Sequence, residues 1–254
     1  MFSLEGKNAF ITGGASGIGL AVAQLMAAQG ARVVIADRTD GSEAAAGFGG
    51  HYLALDVSSE GSVSQALDQA VGLLGKLDIV VNNAGVGDVG PDIVDTEQGL
   101  LEHVTRINHF GVLYGLKHAP ARMNDGGSII NTSSMASFIN MPGSAVYSSG
   151  KRAVNSLTEM SALELGGRGI RVNAVCPGYI DTALGSADEG RALCEAFTAL
   201  GRVGTTEDVA GVFLFLASDA SRYMSGESLR VDGGWHCGPT PQLLEKIIGS
   251  TNVS

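Results

Sequence analysis

Residues 9–19 read Ala9-Phe10-Ile11-Thr12-Gly13-Gly14-Ala15-Ser16-Gly17-Ile18-Gly19 and lead into Leu20, Ala23, Gln24 and Ala27 at helical spacing. A short aliphatic run, a glycine turn and a helical pattern make the first half of a strand–helix–strand unit. Further runs follow at 32–37, 52–57, 77–82, 128–133, 171–176 and 228–231. Their spacing is too long for hairpins and long enough for crossover helices, and continuous aliphatic runs suit parallel strands covered on both faces. The expectation is an α/β chain: one doubly wound domain over 1–254, about seven parallel strands with helices on both faces.

Composition narrows the class. Glycine supplies 37 of 254 residues, about double the usual share of roughly 7%, yet 44% hydrophobic content and six prolines exclude a disordered or collagen-like polymer. The charge, 16 − 26 = −10, together with the absence of any basic run, argues against nucleic acid and anionic membrane as partners. Cys176, Cys194 and Cys237 are odd in number and widely separated. They suggest a reducing compartment and read as buried thiols by default. The N-terminus has no basic, long-apolar leader pattern, and the longest other apolar run, 212–217, is far short of a span of about 20 residues. A soluble cytoplasmic protein is expected.

The strand ends carry Thr12-Gly13-Gly14, Asp37, Asp56, Asn82-Asn83-Ala84-Gly85, Ser133-Ser134 and Pro177-Gly178. In an open parallel sheet ligands bind beyond the carboxyl ends of the strands, so these residues converge on one edge. Glycines in the first turn let the backbone approach a pyrophosphate, which the following helix N-terminus stabilises, although such a turn can also be purely structural. Asp37 lies 18 residues beyond Gly19, where a carboxylate can accept from a ribose diol and repel a 2′-phosphate. That favours NAD(H), while Arg38 beside it can pair with a phosphate, and a cap or surface acid remains an alternative.

Tyr147 and Lys151 are four apart on a helix expected over 146–165, where Val154, Leu157, Met160 and Leu163 mark an apolar face. A nearby ammonium favours phenolate and brings a tyrosine within reach of general acid and base work. By itself the pair is more commonly an exposed helix pair. His51, His103, His109, His118 and His236 show no H-x-x-x-H spacing and no neighbouring carboxylate cluster, so no metal site is expected.

Taken together, the motifs resemble the short-chain dehydrogenase/reductase family from Lys7 to about Trp235. They are Thr-Gly-x-x-x-Gly-x-Gly at 12–19, Asp56-Val57, Asn82-Asn83-Ala84-Gly85, Asn108 in Asn-x-x-Gly, Ser134, Tyr147-x-x-x-Lys151, Pro177-Gly178 and Asp232-Gly233-Gly234. The resemblance implies a Rossmann-type domain that binds NAD(H). It places Gly13, Ser16, Gly17, Ile18 and Gly19 along the pyrophosphate, Asp37 and Arg38 at the adenosine ribose, and Asp56 and Val57 at the adenine. Asn83, Ala84 and Gly85 would run along the cofactor, with Pro177, Gly178, Ile180 and Thr182 at the nicotinamide and Lys151 on its ribose. Tyr147 would exchange the substrate proton, Ser134 would hold the carbonyl oxygen, and Asn108 would hold a water in a relay ending at Lys151. One departure is Gly150, where the family usually has serine; it costs roughly 1 kcal/mol of helix propensity relative to alanine.

Residues 135–146 contain no charged residue and, with Tyr179, Ala183 and Leu184, suggest a largely apolar pocket. Ser134, Met135, Met141, Tyr147, Tyr179 and Leu184 are the candidate substrate residues. The expected substrate is an uncharged secondary alcohol or its ketone, cyclic, aromatic or steroid-like, as for a hydroxysteroid dehydrogenase. An NADPH-dependent reductase of 3-ketoacyl groups on acyl carrier protein shares every motif, and a non-catalytic NAD-binding regulator is the rival of another class. Residues 184–200 read as a lid and 235–254 as a tail. The family resemblance suggests a homotetramer, hinted at by Ala153, Ser156, Ser161 and Ala162.

Overall fold

The structure, a computed structural model, describes residues 2–87, 90–182 and 188–249. Strands β1 (Asn8–Thr12), β2 (Arg32–Asp37), β3 (His51–Ala54), β4 (Leu77–Asn82), β5 (Met123–Thr132), β6 (Arg171–Pro177) and β7 (Ser228–Val231) form one parallel sheet. Its order is β3-β2-β1-β4-β5-β6-β7. The chain therefore winds outward in one direction from β1 to β3, then returns to lay β4 on the other side of β1. Register is continuous across that reversal: Ile11 pairs with Ile35 on one side and Val81 on the other.

Alternation within β1 builds two cores. Ile11 faces α1 (Gly17–Ala28) and α8 (Thr206–Ala217), among Val22, Met26, Ile35, Ile130 and Phe213. Its neighbour Phe10 faces the opposite layer among Val34, Leu67, Val80, Ile129 and Val154. That layer contains α3 (Glu60–Leu74), α5 (Gly111–His118) and α6 (Ala145–Leu165). Phe10 is 1% exposed and Ile11 wholly buried, each worth about 1.5–3 kcal/mol of burial. The remaining helices are α2 (Ser42–Gly47), α4 (Gln98–Thr105), α7 (Asp188–Phe197) and α9 (Pro241–Ile248).

Three expectations are corrected. The third strand stops at Ala54 instead of running to 57, because Asp56 Oδ1 accepts from both the amide and the hydroxyl of Ser58, a local turn that competes with the ladder. In α6 the expected apolar face is half right: Val154 is buried, whereas Met160 and Leu163 are exposed and the inward face carries Ser148, Lys151, Asn155 and Thr158. Of the expected tail, residues 235–249 are structured and 250–254 lie outside the described residues. Trp235 stacks on Phe197 at 5.4 Å, and Thr240 donates to Ala196 O at 2.7 Å while capping α9. Of the expected lid, residues 188–197 are helical and 184–187 lie outside the described residues.

Candidate active site

The crevice opens where the sheet reverses, between the carboxyl ends of β1 and β4. Thr12 Oγ1 accepts from the amides of Asn83 (2.9 Å) and Ala84 (3.0 Å). Asn83 Nδ2 in turn donates to the carbonyls of Thr12 and Gly13, both at 3.1 Å, and Thr132 Oγ1 donates to Asn83 Oδ1 at 3.2 Å. One asparagine thus ties together the ends of β1, β4 and β5. The glycine turn fits against this knot. Gly13 has φ +65°, and a Cβ there would stand 2.7 Å from Ala84 Cα, so only glycine is accommodated.

Ser16, the N-cap residue of α1, is extended and makes no side-chain cap, and the first turn contains no acid. The N-terminal amides of α1 are left for an anion, as a pyrophosphate requires. A Cβ on Gly17 would lie 3.4 Å from Thr182 Cγ2. The segment after β6 therefore crosses to the mouth of the turn, anchored by the buried Ile180, which bridges Gly204. Gly178 lies against Asp232, where a Cβ would be 2.7 Å from its Cα. At the end of β2, Asp37 Oδ2 accepts from Ala15 N (3.1 Å) and Oδ1 from Thr39 N (3.0 Å), which pins its negative charge at the edge. Arg38 is exposed, and its charge helps to hold the Asp56 carboxyl below its ordinary range, after the Ser58 hydrogen bonds that contribute most. Val57 is buried beside Gly111. The glycine cradle, bare helix start and pinned carboxylate fit a dinucleotide.

A second group of residues converges on the same edge from β5 and α6. Tyr147 and Lys151, one turn apart on α6, face inward, with Lys151 Nζ 5.8 Å from the tyrosine ring centroid. Lys151 is 3% exposed, and Nζ donates to Thr132 O at 2.9 Å. Desolvation lowers its pKa from 10.5 to about 8, with the Cys176 thiol opposing. The Tyr147 hydroxyl is pushed up from its ordinary value, chiefly by burial, against a lowering hydrogen bond with Ser134. The sequence expectation of an ammonium pulling the phenol down is corrected here: burial of the phenol prevails, and the ammonium is bound to a carbonyl. Ser134 is buried and caps a short turn, accepting from Ala136 N at 3.1 Å.

Asn108 lies in a π-helical turn, Arg106–Phe110, joining α4 to α5. Its Oδ1 accepts from Val86 N (2.9 Å) and its Nδ2 donates to Val86 O (2.8 Å). Gly85 passes between it and the lysine: a Cβ there would be 3.0 Å from Asn108 Oδ1 and 3.4 Å from Lys151 Nζ. Behind the site, Ser133 Oγ donates to Lys151 O, while Asn155 Nδ2 donates to Ser137 Oγ, which donates to Ser134 O. These buried bonds fix the geometry of Ser134 and Lys151 relative to each other.

The apolar wall consists of Met135, Cys194 and Trp235, with Ile139, Tyr179, Leu193 and Phe197 packed against them. Two of the candidate substrate residues, Met135 and Tyr179, belong to this cluster. Met141 is 38% exposed and outside this cluster, and Phe138 is exposed under the Arg230 guanidinium, 4.8 Å from its ring centroid. Ala183 and Leu184 lie outside the described residues. A small cleft beside Tyr147 is lined by Pro91, Leu100, Val104 and Val146, residues without a motif to reveal them. Thr12 and Thr132, which hold Asn83 and Lys151, were also missed as structural supports because a single threonine at a strand end is an ordinary feature of a sequence. Two thiols are buried as expected, but Cys237 is exposed. The histidines are not all distant from carboxylates: His118 meets Glu60 at 2.9 Å and His236 meets Asp232 at 2.8 Å, in the latter case through four-residue spacing within one turn. Among the described residues no helix is long and apolar enough to cross a membrane.

Residues 13–236 match a family model described as enoyl-(acyl carrier protein) reductase. The chain is 44% identical over 237 residues to the mitochondrial borneol dehydrogenase of Lavandula x intermedia, covering 91% of this chain and 91% of that protein. It is 41% identical over 251 residues to secoisolariciresinol dehydrogenase of Forsythia intermedia, covering 91% and 90%. Among solved structures, a short-chain dehydrogenase from Burkholderia cenocepacia J2315 in complex with NADP superposes with a TM-score of 0.86 at 32% identity, covering 92% and 99%.

Proposed function

The chain belongs to the short-chain dehydrogenase/reductase family of nicotinamide-dependent oxidoreductases, and we propose that residues 1–254 form one catalytic domain that uses NAD(H) to interconvert an uncharged secondary alcohol and its ketone. The observation that carries this reading is the Ser134–Tyr147–Lys151 group, its serine and lysine buried and its tyrosine half-buried, standing beside both the glycine cradle and the apolar wall.

When bound, the nicotinamide accepts or supplies the hydride at the carbinol carbon. The residues of the chain do the rest. Ser134 hydrogen-bonds the substrate oxygen and, with Tyr147, fixes it at the edge of the cleft. Tyr147 takes the hydroxyl proton during oxidation and returns it during reduction. Its raised pKa favours the protonated donor needed for reduction; in oxidation Tyr147 acts as the phenolate, which the positive charge of Lys151 nearby supports. Asn108 holds the 86 loop beside Lys151 through both backbone groups of Val86.

The pinned Asp37 carboxylate supports NAD over NADP, since a 2′-phosphate at that place meets a fixed negative charge. The wall of Met135, Tyr179 and Trp235 supports a neutral, bulky substrate, cyclic, aromatic or steroid-like, and two relatives are named for alcohols, one of them the bicyclic borneol. Residues 188–200 act as a lid over this wall in the same reading. Exposed Leu101, Leu113, Met160 and Leu163 on α4, α5 and α6 support an assembly of four copies. Initial rates with NAD and NADP against neutral cyclic alcohols, including borneol, and against anionic hydroxy acids test the proposal. Faster turnover of the neutral alcohols with NAD is expected; preference for acids, or for NADP, overturns that part. A reductase of carrier-linked acyl groups using NADPH is the second reading, favoured by the description of the matching family model and by the NADP-bound structural relative. NADPH-dependent turnover of 3-ketoacyl thioesters, with none of the cyclic alcohols, would select it.

A further inference from the structure

Beyond the cleft, the turn that follows β7 assembles a thiol, an imidazole and a carboxylate in line. Asp232 is buried, its side chain 2% exposed, and its carboxylate accepts from Gly234 N (3.0 Å) and His236 N (3.1 Å). The same carboxylate meets His236 Nδ1 through Oδ2 at 2.8 Å and Oδ1 at 3.0 Å. An ionised carboxylate only accepts, so Nδ1 carries a hydrogen, and in the neutral imidazole Nε2 then presents its lone pair. That lone pair faces Cys237 Sγ at 3.6 Å. Cys237 is the exposed thiol of the chain, whereas Cys176 and Cys194 are buried.

The turn is held rigidly enough to maintain this line. Gly233 and Gly234 have φ of +64° and +85°, Gly234 lies against Ala199, and Trp235 between them and the cysteine is stacked on Phe197. None of the three side chains has a part in the hydride-transfer chemistry. Among the described residues no His, Cys, Asp and Glu cluster has the geometry to hold a metal ion, so a metal does not explain the array.

We propose that Cys237 is a thiol–disulfide exchange site for small disulfides of the glutathione type, with His236 as its general base and Asp232 as the positioning residue behind it. In the exchange, Cys237 Sγ attacks one sulfur of the small disulfide while His236 Nε2 accepts the S–H proton. A new S–S bond forms on Cys237, the old S–S bond breaks, and the departing thiolate leaves as a thiol with the proton from His236. Cys237 is oxidised and the disulfide is reduced by the same two electrons.

The test is to treat the folded full-length protein with oxidised glutathione at neutral pH and follow adduct formation by intact mass and peptide mapping. One glutathionyl group on Cys237 is expected, forming about tenfold faster than on the same cysteine in the urea-unfolded chain, in line with the modest end of general-base assistance. His236→Gln and Asp232→Asn should each remove most of that advantage, and Cys237→Ser should abolish the adduct. His236 is surface-exposed, so its variant keeps the fold and its circular dichroism serves as the check. Equal rates in wild type and the His236 variant, adducts on Cys176 or Cys194, or no adduct on the folded protein would each overturn the proposal.

Discussion

Asn83 donates twice to Thr12: its amide to the Thr12 hydroxyl at 2.9 Å, and its side chain to the Thr12 carbonyl at 3.1 Å. This two-point contact fixes the separation of β1 and β4 at the point where the sheet reverses direction. The glycine turn and the loop that carries Gly85 are both built outward from it, so the two walls of the crevice share one reference point.

Tyr147→Phe keeps the ring and removes only the exchangeable proton. Turnover of any accepted alcohol should fall by about 10²–10⁴, while NADH binding followed by fluorescence stays within about twofold. Retained turnover would remove Tyr147 from the proposed role.

Lys151 gives a pH signature in stability. Its pKa is about 8 in the folded chain against 10.5 as the ordinary value. Between those values the unfolded chain holds a proton the folded chain has released, so the folded state gains stability as pH rises. Below about pH 8 both states hold it and the contribution is flat. Relative to Lys151→Met, wild type should gain about 3 kcal/mol between pH 7 and pH 10.5, read from paired urea unfolding curves. A constant difference across that range would show that the ammonium is not desolvated.

Asp37→Asn removes the fixed charge at the ribose end of β2. The ratio of kcat/KM for NAD over NADP should fall about tenfold, the effect of roughly 1.4 kcal/mol of lost repulsion at a partly solvated edge. An unchanged ratio in initial-rate assays would assign cofactor choice to other groups, Arg38 first.

Two glycine-to-alanine changes should have opposite signs. Gly13→Ala meets both a left-handed backbone and the Ala84 Cα, and should destabilise by about 2 kcal/mol or more. Gly150→Ala meets only Asn108 Cβ at 3.9 Å within α6, and should stabilise by about 0.5–1 kcal/mol. Thermal unfolding of both variants beside wild type gives the comparison.

The central strands were legible because their interior residues are buried on both faces, and that constraint writes itself as an uninterrupted aliphatic run, as in 32–37. β3 was overextended because Leu55 and Val57 are apolar for a different reason: they pack under a turn that Asp56 forms with Ser58. The inward face of α6 was misread because it carries hydrogen-bonding residues, Ser148, Asn155 and Thr158, that pattern reading assigns to solvent. Thr158 illustrates the cause: it accepts from Asn131 Nδ2 at 2.9 Å, and Asn131 accepts from Asn82 Nδ2 at 2.8 Å, a polar ladder across the sheet that spacing cannot reveal. Catalytic candidates were legible through family motifs, while the direction of the Tyr147 shift depended on burial that only the packed helix supplies.

The π-helical turn at Arg106–Phe110 holds one more residue per turn than the α-helices on either side. Deleting a single residue from it would let α4 and α5 merge into one regular helix, a local gain in hydrogen-bond geometry. The same deletion would rotate everything on one side by about 100° relative to the other, carrying Asn108 away from Val86 or α4 away from the cleft. This stretch of chain is therefore intolerant of length change even where it tolerates changes of side chain, and alignments or engineered variants that lose one residue between 106 and 110 should be read as having lost the anchor of the 86 loop.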